Sequence, residues 1–301
     1  MTSPKGPAPQ ERWLITGATG QLGGHVLAHL CDGAGERQIL AVSRRPVPDE
    51  IPVLNQPTEL ARHDKLRRCV ERFRPTHIIH AGAITSVGEA YADPQRTRIV
   101  NVDATAVLAE SAERIQARMV FISTDMVFDG TAAPYDEHAS PCPLSVYGQS
   151  KVDAERIFND RPGLVVARLP LMYGMPRIDR QTTFTSQLER LQSGSSQKVF
   201  TDEFRTPVCL TDAAAAVVAL ARSEYTGTIH VAGPERMSRM ELVHRCATFL
   251  QIPQPSLVPV SRLDIESPEP RAADLSLNGA RFARRFPEFV PGPVQTEAIT
   301  S

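Results

Sequence analysis

Arg12-Trp13-Leu14-Ile15-Thr16-Gly17-Ala18-Thr19-Gly20-Gln21-Leu22-Gly23 is the stretch that decides the fold. A short apolar run enters glycines spaced three apart, and Leu22, Val26, Leu27 and Leu30 then recur at helical spacing, so the order is strand, turn, helix. Gly17, Gly20 and Gly23 make a G-x-x-G-x-x-G turn. Such a turn bends tightly, lets the backbone approach a pyrophosphate and aims the free N–H groups of a helix start at the anion, all of which a Cβ would obstruct. The same triplet also suits a plain strand-to-helix turn. Its place at the first strand of an alternating chain favours dinucleotide binding.

Downstream, strands are expected at Ile39 to Val42, His77 to Ala81, Met119 to Ile122 and Leu164 to Val166. Ile99, Val102, Ala106 and Ala109 mark a helix ahead of the third of these. Strands alternating with helices predict an α/β fold, a doubly wound parallel sheet of the Rossmann kind. Further on, Asp212 is placed to cap a helix over Ala213 to Ala221. Ser238 and Glu241 form a capping box, with Met237 and Leu242 as its hydrophobic staple. Eight of the 25 prolines lie in residues 251–301, which predicts irregular chain with a short helix near Gly279 to Arg285. The expected organisation is a dinucleotide-binding domain over 11–170, continued by about 208–231, with a smaller C-terminal substrate lobe built from 171–207 and 232–301. Residues 1–10, with three prolines and no apolar core, predict a disordered tail rather than a signal peptide.

A chain of 301 residues with 42% hydrophobic and 22% charged residues has material for a large core. Its formal charge of −1 offers no overall field for a polyanion or an anionic membrane, so neither nucleic acid nor membrane is an expected partner. The five cysteines are scattered and never form C-x-x-C, as expected of reduced core thiols in a cytoplasmic protein.

An NAD site usually places a carboxylate about 20 residues beyond the glycine turn, against the ribose hydroxyls. Ser43-Arg44-Arg45 stands there instead. Two guanidiniums and a hydroxyl suit a 2′-phosphate, so NADPH is the expected cofactor; the alternative is a solvated basic turn ahead of Pro46. Tyr147-Gly148-Gln149-Ser150-Lys151 sets a phenol and an ammonium one helical turn apart. With five Tyr and four Lys in the whole chain, an accidental pair at this spacing is improbable. The ammonium is expected to favour the phenolate, moving Tyr147 toward the working range of an acid–base group, and to reach the nicotinamide ribose. Thr124 follows a strand at the edge where doubly wound sheets bind ligands, so its hydroxyl can meet a substrate carbonyl beside Tyr147.

These pieces resemble the extended short-chain dehydrogenase/reductases, and within them the dTDP-4-dehydrorhamnose reductase group. Ile122-Ser123-Thr124-Asp125-Met126-Val127-Phe128-Asp129-Gly130, Pro134-Tyr135-Asp136-Glu137 and Asp274-Leu275-Ser276-Leu277-Asn278 carry the resemblance together with the glycine turn and Tyr147 to Lys151. It implies Thr124, Tyr147 and Lys151 as a catalytic trio, and a cofactor lined by Gly17, Thr19, Gly20, Gln21, Leu22, Gly23, Ser43, Arg44, Arg45, Ala81, Gly82 and Ala83. It also implies a sugar faced by Thr85, Thr124 and Met126, with Arg205 toward a diphosphate or in a surface ion pair. Two positions depart from the pattern: Glu59-Leu60 stands where the family carries Asp-Leu or Asp-Val against the adenine, and Met126 replaces a common Tyr. Related dehydratases carry Glu at the place of Met126; a thioether transfers no proton, which disfavours elimination.

The expected activity is NADPH-dependent reduction of the 4-keto group of a nucleotide-linked deoxysugar, as in dTDP-rhamnose biosynthesis. The expected partner is that nucleotide-sugar substrate, with association into a homodimer left open. An alternative is a cofactor-binding regulatory subunit resembling the methionine adenosyltransferase β subunit, or another nucleotide-sugar reductase or epimerase. No metal is expected: His25 and His29 lie one turn apart, but no carboxylate or cysteine accompanies them. His77 and His80 are expected to be satisfied core or sheet-edge histidines, and Asp136-Glu137 to be loop charge.

Overall fold

The computed structural model describes residues 11–33, 36–159 and 161–300; the tail expected over 1–10 lies outside them. Trp13, Leu14 and Ile15 are fully buried within strand β1 (Glu11–Thr16), because helices cover both faces of the sheet it belongs to. Helix α1 (Gln21–Asp32) follows the glycine turn and leads to β2 (Arg37–Ser43). Next come β3 (Leu54–Pro57), α2 (His63–Phe73) and β4 (His77–His80). Two short helices, α3 (Val87–Ala92) and α4 (Pro94–Arg98), precede α5 (Ala104–Ile115) and β5 (Arg118–Thr124). Helix α6 (Val146–Glu155) and β6 (Leu164–Leu169) complete the alternating part.

Beyond β6 the chain forms β7 (Met172–Tyr173), α7 (Thr183–Gln192), β8 (Gln197–Phe200), β9 (Phe204–Arg205) and β10 (Val208–Cys209). Helix α8 (Leu210–Arg222) and β11 (Gly227–His230) return to the main sheet. The rest comprises β12 (Met237–Ser238), α9 (Arg239–Phe249), β13 (Leu257–Val260), α10 (Ala280–Arg285) and α11 (Glu297–Thr300). The seven-stranded sheet runs β11-β6-β5-β4-β1-β2-β3, every pairing parallel.

Alternate strand residues feed two cores. Trp13, Ile15, Ile39, Ile79, Val120 and Val165 pack with α1 and α8 on one face. Leu14, Leu40, Ile78, Met119, Phe121 and Val166 pack with α2 and α5 on the other. A third core, away from the sheet, joins Tyr173, Phe184, Leu188, Leu242, Val243 and Cys246.

Several expectations need correction. Strand β3 escaped notice because it is a short, exposed edge strand ending in Pro57, with polar Asn55 and Gln56 in place of an apolar run. Ile99–Asp103 is π-helical, and the widened turn shifts the helical phase. Ala106 is therefore only half-buried, while Ala104, Thr105 and Leu108 face the core. Helix α8 starts three residues earlier than Ala213, with Cys209 at its cap; Asp212 sits inside the first turn and accepts from Gly292 N at 2.9 Å. Strand β13 pairs with β8 in the proline-rich end that read as irregular. Cys142 is exposed and Cys31 and Cys69 are half-buried, so only Cys209 and Cys246 are core thiols; all five are free. The Ser238–Glu241 capping box forms as expected, with Met237 and Leu242 buried in the third core.

Candidate active site

The glycine turn is a cradle built by exclusion. Gly17 has φ +66°, and a Cβ there would lie 2.7 Å from Gly82 Cα; a Cβ on Gly23 would lie 2.1 Å from Gly17 O. Gly17 N donates to Val42 O at 2.9 Å and Gly20 N to Gly17 O at 2.7 Å, which ties the turn to the end of β2. Gly20 caps α1 without a side-chain bond, leaving the N–H groups at Gln21 and Leu22 to the turn. Ala81-Gly82-Ala83 leaves β4 alongside, Gly82 N donating to Thr16 Oγ1 at 3.2 Å. Leu60 lies over Gly82, 2.9 Å from where a Cβ would be, whereas Glu59 is exposed.

Beneath the turn, His80 joins Thr16 Oγ1 at 2.6 Å and Thr105 Oγ1 at 3.0 Å, linking β1, β4 and α5. Burial, with the Lys151 charge adding to it, pushes the His80 pKa down to about 3. At the end of β2 the Ser43 hydroxyl donates to Arg45 O at 2.6 Å, and Arg44 and Arg45 are exposed. No carboxylate pairs with either arginine among the described residues.

Three strands along the sheet from β2, Thr124 ends β5, and Tyr147 stands in the first turn of α6. Both are buried, at 8% exposure each, and the Thr124 side chain acts on the Tyr147 phenol. The Thr124 hydroxyl also donates to Asp125 Oδ1 at 3.1 Å and accepts from Met126 N at 3.2 Å. Burial raises the Tyr147 pKa, the Asp125 charge adding to it and the Thr124 bond opposing it. This corrects the expectation that Lys151 lowers it. The Lys151 ammonium lies 4.0 Å from the centre of the Phe121 ring instead, and burial brings its pKa down to about 7 against the pull of Glu155 one turn on. Glu155 in turn accepts from Ser123 and is held by Arg168 at 3.0 and 2.7 Å.

The sugar-side residues separate. Met126 packs against Tyr147 together with Ile84. Thr85, the neighbour of Ile84, is exposed ahead of α3. Arg205 Nε stands 3.2 Å from Asp125 Oδ2, and both side chains are largely buried, so the surface pair expected there is an interior one beside Thr124. Glu137 is likewise not loop charge: it accepts from His230 N at 3.1 Å and pairs with Arg281 at 3.3 Å. His25, weighed as a ligand, instead meets Met175 O at 2.8 Å and Thr211 Oγ1 at 3.3 Å.

Two residues went unnoticed in the sequence. Asn101, in the π-helical turn, bonds Ile84 N and O at 2.8 and 3.0 Å and Ser150 Oγ at 2.9 Å, fastening the loop after β4 to the Tyr147 helix. A lone polar residue inside a helix, interrupting its apolar spacing, was the available signal. Arg180 donates from Nη1 to Thr19 O at 3.3 Å across 161 positions, a separation that no local pattern reveals. No cluster of three or more His, Cys, Asp or Glu suited to a metal occurs among the described residues.

A parallel sheet with a glycine-cradled helix start and a Thr, Tyr and Lys beside its carboxyl edge defines a dinucleotide-binding protein of the extended short-chain dehydrogenase/reductase type. Residues 11–293 match the RmlD substrate binding domain, and the chain belongs to that family. It is 30% identical over 266 residues to methionine adenosyltransferase 2 subunit beta of Rattus norvegicus, covering 84% of this chain and 76% of that one. It is 32% identical over 225 residues to dTDP-4-keto-6-deoxy-D-glucose reductase of Streptomyces niveus, covering 73% and 72%. A hypothetical dTDP-4-dehydrorhamnose reductase from Sulfolobus tokodaii superposes with TM-score 0.82 at 25% identity, over 95% of this chain and 98% of that one. The dTDP-4-dehydrorhamnose reductase of Bacillus anthracis in complex with NADP shares the fold, with TM-score 0.83 at 22% identity over 97% and 98%.

Proposed function

We propose that the chain is an NADPH-dependent oxidoreductase that reduces the 4-keto group of a nucleotide-linked 6-deoxysugar, with dTDP-4-dehydrorhamnose as the first substrate to test. The observation that carries this reading is the buried Thr124–Tyr147 pair at the sheet edge, with Lys151 one turn beyond and the non-titrating Met126 beside it. The glycine cradle suits a dinucleotide because Gly17 and Gly23, where a Cβ would strike neighbouring backbone, let the turn bend tightly under the helix start, and Arg44 and Arg45 answer a 2′-phosphate. The nucleotide-binding part is assigned to 11–170 with about 208–231, and the substrate lobe to 171–207 and 232–301. Among the described residues, no helix is long and apolar enough to cross a membrane.

The bound cofactor supplies the hydride; the protein supplies a proton and a place for the developing oxygen charge. Reduction consumes a proton, and a phenol whose pKa burial has raised is protonated at neutral pH, ready to donate. Tyr147 gives that proton to the carbonyl oxygen while Thr124 hydrogen-bonds the same oxygen. Lys151, one turn beyond Tyr147 with its ammonium over the Phe121 ring, is assigned to the ribose of the cofactor. In the free protein the Thr124 hydroxyl donates to Asp125, itself paired with Arg205, and it would exchange that bond for the carbonyl oxygen when substrate binds.

Incubation with NADPH and a panel of nucleotide-linked 4-keto sugars tests the proposal: consumption of NADPH with one of them is the expected result. The relatives named as methionine adenosyltransferase 2 subunit beta support a second reading, a cofactor-binding regulatory subunit. Co-purification with a catalytic partner, without turnover of any sugar in the panel, would favour it.

A further inference from the structure

Arg180 lies on the segment after β7, outside the alternating part of the chain, yet it reaches the glycine turn. The segment is fastened to α1 at two points before it arrives. Met175 O bonds His25 Nε2 at 2.8 Å, and the buried Ile178 packs on Gly24, its Cγ1 3.4 Å from where a Cβ would stand. Two residues on, Arg180 Nη1 is 3.3 Å from Thr19 O and 3.6 Å from the Cβ position of Gly20. We propose that Arg180 completes, with Arg44 and Arg45, a three-guanidinium clasp for the 2′-phosphate of NADPH, and so sets cofactor choice from the substrate-lobe side.

The proposal rests on the cofactor reading above. Gly17 N bonds Val42 O at 2.9 Å, which sets the glycine turn that Arg180 reaches beside the end of β2, where Arg44 and Arg45 follow; burial, then the charges of Arg45 and Arg44, lower the Arg180 pKa. None of the three forms a salt bridge with a carboxylate among the described residues, so their repulsion is unrelieved by the protein and a dianion relieves it. The position favours the 2′-phosphate over the pyrophosphate. Arg44 and Arg45 follow β2, on the adenosine-ribose side of a dinucleotide turn, while the helix start at Gly20 to Leu22 answers the pyrophosphate through its N–H groups. Arg180 is itself exposed, but its loop is pinned on α1 and its guanidinium is held by Thr19 O, so it loses less side-chain freedom on binding than an arginine without such a bond.

Fluorescence titration of the full chain with NADPH and NADH, before and after Arg180→Gln, tests this without turnover. Adenosine 2′,5′-bisphosphate and adenosine 5′-monophosphate serve as competing probes. The expected result is an NADPH affinity weakened about tenfold or more, with NADH and the monophosphate weakened less than about twofold. Arg180→Lys should restore part of the loss, and the wild-type preference should shrink as salt rises. Unchanged NADPH binding in Arg180→Gln, or equal losses for both cofactors, overturns the assignment of Arg180 while leaving the NADPH reading intact. A wild-type chain that binds NADPH no better than NADH overturns that reading and the clasp with it.

Discussion

At the residue scale the proposed chemistry depends on one phenol and one hydroxyl. Tyr147→Phe keeps the ring that packs on Ile84 and Met126 and removes only the proton donor. Its NADPH titration should therefore match the wild type while turnover of the accepted keto sugar falls roughly 10²–10⁴-fold. Thr124→Val should lower turnover about 10²–10³-fold, because Tyr147 still donates. A Tyr147→Phe enzyme working at the wild-type rate would place the chemistry elsewhere. Gly148 is bound to the same geometry by sterics. A Cβ there would lie 2.3 Å from Met126 O, so the helix that carries Tyr147 can approach the Thr124 turn only at a residue without one. Gly148→Ala should destabilise the protein by about 1–3 kcal/mol and lower turnover without changing the chemical groups, which denaturation and steady-state kinetics would separate.

At the element scale, helix α9 shows how a local signal carries through to structure. Ser238 Oγ accepts from Glu241 N at 3.1 Å while Glu241 Oε2 accepts from Ser238 N at 2.6 Å. Ser238→Ala should lower unfolding stability by about 0.5–2 kcal/mol in urea titration and leave NADPH binding unchanged. That box was legible because its partners lie within one turn. So were the first strand, its glycine turn and the Tyr147–Lys151 spacing, each of which joins residues a few positions apart. What escaped reading depends on distant partners or a change of helical period. The π-helical turn left Ala106 of α5 only half-buried although Ala109 is in the core; Arg205 found its carboxylate partner 80 positions back, at Asp125; Arg180 meets Thr19 beyond a loop where Ile178 is pinned on Gly24. The Tyr147 and Lys151 shifts belong to this second kind, because burial exceeds the effect of their spacing.

At the scale of the whole molecule, buried neutral histidines tie acid stability to the sheet. His80 and His230 both have pKa values pushed from 6.5 to about 3, burial being the largest cause in each. Between those values the unfolded chain binds protons that the native chain refuses, so their stabilising contribution is full above about pH 6.5 and is lost as pH falls toward 3. The urea midpoint should drop between pH 7 and pH 5, and His80→Gln, which keeps hydrogen bonding without titrating, should show a shallower drop. The path of the chain has a mechanical outcome as well. It leaves the main sheet after β6, returns at α8 and leaves again after β11; a single bridge from Tyr135 to Leu277 ties the last stretch back, while the bridge from Phe204 to Asp274 joins two stretches outside the sheet. A body sewn on by several seams cannot be snipped away as a separable fragment. A cut in any one of the crossings should leave the halves clinging together through the others.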